Sequence, residues 1–205
     1  MNDQYYTADP TCESSPVPCA FPYRGYGLTF MTDAGVFSKG ELDAGSRLLL
    51  DALPALAGDV LDVGCGWGAI GVAIAKANRA AQVTMVDVNH RALDLCRANC
   101  DRNGVTAEVL ESDGLAAVMG RKFDAIVTNP PIRAGKQVIY KMFEDASASL
   151  KAGGALYLVI RKQQGAESCV KYLKTLFDTV EKLDKSAGFW VLKAAEPKEA
   201  TDDEV

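Results

Sequence analysis

DVLDVGCGWGAIGVAIAKAN, Asp59 to Asn78, decides the fold. DVLDVG reads as a buried strand, and GAIGVAIAKAN as an apolar helix opening directly from glycines. Glycine permits the sharp turn from strand to helix and leaves bare backbone for a ligand to approach. The helix N-terminus at that turn presents unpaired N–H groups and a partial positive charge, suited to a carboxylate or phosphate.

Outward from this unit the alternation repeats. AQVTMVDV (81–88) reads as a second strand, followed by HRALDLCRANCDRNG (90–104), a helix stopped at Asn103-Gly104. AEVLES (107–112) and FDAIVT (123–128) are strands three and four, QVIYKMFEDASASL (137–150) is a helix ending at KAGG, and ALYLVI (155–160) is strand five. ESCVKYLKTLF (167–177) is helical, and TVEKLDKS with GFWVLKA predicts a closing hairpin around Ala187-Gly188. Upstream, LTFMT is a short strand-like piece, and Asp43 caps a helix over AGSRLLLDAL that Pro54 ends. The fold class is α/β: a Rossmann-like, doubly wound, mostly parallel seven-stranded sheet with a C-terminal antiparallel hairpin. The expected division is an N-terminal arm packing on the core (1–40, irregular to about residue 27), a main domain (41–195) and an acidic disordered tail (196–205).

Right-handed crossovers put every parallel strand's C-terminal end on one edge, where ligands bind. That edge collects the glycines after strand one, Asp87 after strand two, Asp113 after strand three and Asn129 after strand four. Gly66-Trp67-Gly68-Ala69-Ile70-Gly71 satisfies GxGxxG, and Asp87 stands where a ribose-binding acid is expected, so a nicotinamide enzyme is one reading. Asp62-Val63-Gly64-Cys65 extends the motif to DxGxGxG. An acid there would repel a pyrophosphate but suits an ammonium group, as S-adenosylmethionine carries. A structural glycine turn without a cofactor is the third reading. Asp87 can accept both hydroxyls of a ribose or cap the next helix; Asp113 can accept from an adenine amine or serve a turn before Gly114.

The chain has 205 residues, 48% apolar and 24% charged, as in ordinary globular domains. The N-terminus lacks the basic start and apolar run of a signal peptide, and no run reaches the roughly 18 apolar residues of a membrane span. A cytoplasmic location without membrane attachment is expected. Six cysteines (12, 19, 65, 96, 100 and 169) form no CxxC pair, and with the single His90 they predict reduced thiols and no metal site, although Cys96 and Cys100 lie one helical turn apart. The net charge is −5, but EPKEATDDEV at the end holds five acids and one lysine, so the other 195 residues carry only −1. A near-neutral body still allows a local basic face for RNA.

VTNPPIRAGK (127–136) ends strand four with an amide held between rigid residues, since proline cannot donate to a sheet ladder. DVGCGWG, VDVN, SDG and NPPI in this order resemble the class I S-adenosylmethionine-dependent methyltransferases. FMTDAGVFSKGELDAGSRLLL with NPPIRAGK is similar, more narrowly, to the small-domain methyltransferases related to the ribosomal RNA small-subunit guanine-N2 methyltransferase, in a short single-domain form. The likeness runs from Tyr5 to Ala194. It implies an added antiparallel strand at the sheet edge and S-adenosylmethionine held by Asp62, Gly64, Cys65, Gly66, Gly68, Asp87, Val88, Asp113 and Asn129. It further implies a catalytic turn of Asn129, Pro130, Pro131 and Ile132.

An exocyclic amine has its lone pair delocalised into the ring. The Asn129 side-chain oxygen and the Pro130 carbonyl can hold its hydrogens and turn the lone pair toward a methyl donor, with no strong base required. Ile132 departs from relatives with Tyr or Phe at that position, so Phe37 is the candidate for stacking on a base. Phe37, Lys39, Arg133 and Lys136 are the substrate-binding candidates, with Arg24, Arg161 and Lys162 added to a basic rim for RNA phosphates. The implied partner is ribosomal RNA or the small ribosomal subunit, with guanine N2 of 16S ribosomal RNA as the target. Rivals are glutamine-N5 methylation of a protein, adenine-N6 methylation, an RNA-binding protein with a vestigial cofactor pocket, and a nicotinamide oxidoreductase.

Overall fold

A computed structural model describes residues 8–198. The main sheet has seven strands: β3 (Gly58–Val63), β4 (Ala81–Asp87), β5 (Glu108–Glu111), β6 (Phe123–Thr128), β7 (Leu150–Arg161), β8 (Phe177–Ser186) and β9 (Phe189–Pro197). Their order is β5-β4-β3-β6-β7-β9-β8, with β3 to β7 parallel and β9 antiparallel to both neighbours. The antiparallel strand that family resemblance implies at the edge is therefore one place inside it, and β8 forms the edge. β7 is longer than ALYLVI: its 12 residues include KAGG, the stretch expected to end the preceding helix.

Side chains alternate between two cores because successive strand residues point to opposite faces. Val60, Val83, Met85, Val127 and Val159 pack on one side with α1 (Ala44–Ala52), α2 (Ala69–Ala77) and α3 (His90–Asn103). Leu61, Val63, Val86, Ile126 and Leu158 pack on the other with α4 (Lys136–Ala148) and α5 (Ala166–Leu176). Gly104 ends α3 in the left-handed conformation with φ 59°, as the Asn-Gly stop predicts. Ala187 and Gly188 (φ 48° and 80°) make the turn between β8 and β9.

Residues 17–23, expected as irregular arm, instead form β1 (Val17–Tyr23), paired antiparallel with β2 (Tyr26–Thr32). Cys19, Phe21 and Tyr23 face the core; Pro18 and Pro22 occupy the exposed alternate positions of this edge strand. The other edge of β2 is closed by side chains rather than by a strand. Asn99 accepts from Met31 N–H at 2.8 Å and donates to Met31 C=O at 2.9 Å. Asn103, one turn later, treats Thr29 in the same way at 3.1 and 2.8 Å. Two amides at i, i+4 on α3 thus mimic the next strand, satisfying backbone groups that would be orphaned at a buried edge.

Upstream of β1, Ser14 Oγ and Ser15 N–H donate to Asp33, and Arg91 donates to the carbonyls of Cys12 and Ala34, tying residues 12–15 to the loop that precedes α1. Of the expected acidic tail, Glu196 and Pro197 belong to β9; 199–205 lie outside the described residues, as do 1–7 of the arm. No helix among the described residues is long and apolar enough to cross a membrane.

Candidate active site

The strand order reverses between β3 and β6, and such a switch point opens a crevice beyond the strands' C-terminal ends. Thr128 closes its floor: its hydroxyl donates to Val63 C=O at 2.8 Å, joining the two strand ends. Gly64, Cys65 and Gly66 from the turn, Asn129 just after β6, Phe37 and Leu42 from the segment leading into α1, and Ser46 from the first turn of α1 line one cleft.

The turn is glycine for two different reasons. Gly64 (φ 72°) and Gly66 (φ 55°) adopt left-handed backbone, and a Cβ at either would point into open space over the loop, room a ligand can take. Gly68 (φ 91°) and Gly71 are instead packing glycines. A Cβ at 68 would lie 2.9 Å from Cys96 Sγ, and one at 71 would overlap Met85 Sδ.

Two carboxylates hold the turn from beneath. Asp87, at the end of β4, accepts from Gly66 N–H at 2.8 Å and from Asn89 N–H at 2.9 Å, one bond on each oxygen. Burial raises its pKa. Asp62 lies within β3 rather than in the turn itself and is 1% exposed. Its Oδ2 accepts from Gly71 N–H at 2.8 Å, while its Oδ1 is buried without a hydrogen-bond partner. Burial, reinforced by the Asp87 charge, pushes the Asp62 carboxyl up to about 7. A buried, unpaired carboxylate oxygen is costly, and a cationic donor from outside the chain would relieve it. Cys65 is a buried thiol, raised to about 11 and so uncharged, contributing bulk rather than nucleophilicity.

Asn129 is half-buried at the end of β6. Its Nδ2 donates to Ser46 Oγ at 3.0 Å and to Asp43 Oδ2 at 3.3 Å. With both amide hydrogens taken from one side, Oδ1 is left for other donors. Asp43 was legible as the cap of α1, and it does accept from Gly45 and Ser46 N–H. Its contact with Asn129, and the part of Ser46, were missed. The available signal was Ser46 itself, a polar residue on the helix face that buries Leu49 and Leu50. Trp67 was missed too: its Nε1 donates to Phe37 C=O at 2.8 Å, hanging the 33–42 loop on the glycine turn.

The remaining predicted residues divide. Phe37 is 39% exposed at the cleft. Val88 is half-buried beside Asp87, and Asp113 is exposed beyond β5, on the same edge but outside the cleft lining. Pro130 is buried, and Pro131 leads into a 3-10 turn, Ile132–Ala134, in which Ile132 packs against the α4–α5 core. Lys39, Arg133 and Lys136 are exposed. Arg161, at the end of β7, lays its guanidinium 4.7 Å above Phe189. Arg24 does not join this rim. Its guanidinium binds the carbonyls of Leu53 and Pro54, which lead toward the start of β3 at the opposite edge. No group of three or more His, Cys, Asp or Glu side chains among the described residues is placed to hold a metal.

The sequence matches the methyltransferase small domain over residues 27–193. The chain belongs to that family. It is 42% identical over 198 residues to the uncharacterized protein YbxB of Bacillus subtilis (strain 168), covering 95% of this chain and 98% of that protein. It is 40% identical over 171 residues to the ribosomal RNA small subunit methyltransferase C of Aeromonas hydrophila, covering 80% of this chain. The match takes in 48% of that relative, so the chain spans about half its length. Among solved structures, the T. thermophilus 16S rRNA N2 G1207 methyltransferase, determined with AdoMet and guanosine, superposes with a TM-score of 0.81 at 30% identity, over 91% of this chain and 52% of that one.

Proposed function

We propose that this methyltransferase uses S-adenosylmethionine to methylate an exocyclic amine, with guanine N2 of small-subunit ribosomal RNA as the substrate. The observation that carries the reading is the orientation of Asn129, whose NH₂ is held by Ser46 and Asp43 so that its oxygen remains an acceptor beside the glycine turn. The kinship with ribosomal RNA small subunit methyltransferase C supports the substrate class.

The chain's residues fit the cofactor. Asp62 Oδ1 lacks a donor that an ammonium would supply, Gly64 and Gly66 leave the turn bare, and Asp87 braces it with lone pairs to spare for hydroxyl groups. S-adenosylmethionine, when bound, supplies an activated methyl on a sulfonium. Asn129 Oδ1 and the Pro130 carbonyl then accept the amine's two hydrogens, which orients its lone pair and restrains the nucleophile before reaction. The amine becomes acidic only as it is alkylated, so no side chain must remove a proton beforehand. Phe37, exposed at the cleft, offers a ring for the base, the part that Ile132 cannot take because it packs inward. Arg133, Lys136 and Lys39 provide exposed positive charge for phosphates.

Nucleoside mass spectrometry of 16S ribosomal RNA, with and without the gene, tests the substrate: N2-methylguanosine should fall on deletion and return on complementation. An unchanged level removes the RNA assignment. Asn129→Ala should weaken S-adenosylmethionine binding by calorimetry far less than it lowers methyl transfer, and full activity in that variant refutes the acceptor role.

A further inference from the structure

We infer that Asp43 and Ser46 are positioning residues that set which end of the Asn129 amide faces the substrate. This rests on the functional reading above. A side-chain amide has two nearly isosteric ends, one accepting and one donating. Only the oxygen can receive a hydrogen from an incoming amine; the NH₂ end would oppose donor to donor. Nothing in the strand end itself chooses between them. The choice comes from α1, whose N-terminus brings two acceptors to Asn129 Nδ2: Ser46 Oγ at 3.0 Å and Asp43 Oδ2 at 3.3 Å. Ser46 is buried at 4% exposure, so water cannot readily stand in for it. Asp43 is fixed in turn by the α1 backbone, its Oδ1 accepting from Gly45 N–H at 2.9 Å and from Ser46 N–H at 3.3 Å. The acceptor orientation is thus built from a helix cap some 86 residues away in sequence.

The polarity of this contact can be reversed without removing the cap. Asparagine caps a helix as well as aspartate does. In Asp43→Asn the new carbonyl still serves Gly45 and Ser46, while its NH₂ faces that of Asn129. The Asn129 amide then turns over and offers its own NH₂ to the substrate. The double variant Asp43→Asn/Asn129→Asp restores a donor-to-acceptor contact between the two positions and leaves a carboxylate oxygen toward the amine.

The test measures methyl transfer from labelled S-adenosylmethionine to small ribosomal subunits isolated from a strain lacking the gene. Asp43→Asn should lower kcat roughly a hundredfold, comparable with losing one preorganised hydrogen-bonding partner, with the cofactor Kd unchanged. The double variant should recover at least about tenfold of that loss, a rescue that a purely structural cap does not predict. A binding-independent readout runs alongside. Asn129→Asp alone sets two carboxylates face to face, so its melting temperature should drop from pH 5 to pH 8 more than that of the wild type, and the double variant should abolish the extra drop. Full activity of Asp43→Asn, or absence of any rescue in a folded double variant, overturns the positioning role while leaving Asn129 as acceptor. Wild-type enzyme silent on these subunits, or a fully active Asn129→Ala, overturns the functional reading and the positioning role with it.

Discussion

Asp62→Asn should make the protein less sensitive to alkaline pH while weakening its cofactor. Asp62 is 1% exposed, with one oxygen bonded to Gly71 N–H and the other unpaired, and burial raises its carboxyl from 3.8 to about 7. A raised carboxyl pKa means that the folded chain holds this proton more tightly than the unfolded chain. Its contribution to stability is full below about pH 4 and is lost as pH rises toward 7. Roughly three pH units at about 1.4 kcal/mol each give about 4 kcal/mol over the whole window, of which roughly 2.5 kcal/mol falls between pH 5 and pH 8. Urea unfolding of both proteins at these two pH values, without cofactor, isolates the effect: the wild type should lose about 2.5 kcal/mol more than Asp62→Asn. The difference between the two proteins includes any response of Asp87, whose charge acts on Asp62. S-adenosylmethionine adds the second half of the argument. Its ammonium favours the ionised carboxylate, so saturating cofactor should shrink the wild-type loss, and Asp62→Asn should bind it about tenfold or more weakly. Identical pH dependence in the two proteins would refute the burial argument, and equal cofactor affinity would refute the ammonium contact.

Three further outcomes follow from the packing. Asn99→Ala removes the bonds to Met31 N–H, Met31 C=O and Trp67 C=O, and should cost about 3 kcal/mol, with faster hydrogen exchange at Met31; unchanged exchange would mean that β2 needs no edge partner. Gly71→Ala sets a methyl against buried Met85 and 3.0 Å from Asp62 Oδ2, and should lower stability by roughly 1–3 kcal/mol in thermal melts, whereas a neutral result would show that Met85 can yield. Arg133→Ala and Lys136→Ala should each weaken RNA binding and reduce the salt slope by about 1, while leaving cofactor affinity alone; a slope unaltered in both would move the RNA path elsewhere.

What could be read ahead of the structure depended on how local the cause was. The strand–helix alternation and the Asn103-Gly104 stop of α3 are written in consecutive residues, and those elements formed near where their patterns stood, β7 apart, which takes in KAGG. β1 was not legible, because VPCAFPY contains two prolines and proline argues against a strand. The prolines are harmless there: Pro18 stands opposite Met31, whose N–H and C=O turn away from β1 to Asn99, and Pro22 has the same parity, so neither position owes a bond to the ladder. The order of the last two strands was also hidden. A hairpin puts β8 beside β9 whichever of them joins β7, and the pairing of β7 with β9, from Ala155↔Ala195 to Arg161↔Phe189, decides it.

The site shows the same division at finer scale. The glycines and Asn129-Pro130-Pro131 announce themselves as punctuation at strand ends, but what aims Asn129 is a contact across 86 residues that no local pattern encodes. It exists because α1 packs Leu49 and Leu50 into the core that Val60 and Val127 also enter, which brings the helix's capped end over the switch point between β3 and β6. The same carboxylate that stabilises the helix start therefore stands within reach of the strand end. A cap substitution judged by helix stability alone would look neutral for Asp43→Asn, yet it reverses the polarity offered to Asn129. For that reason VTNPPIRAGK is only half of the proposed catalytic turn's description, and Asp43-Ala44-Gly45-Ser46 supplies the other half.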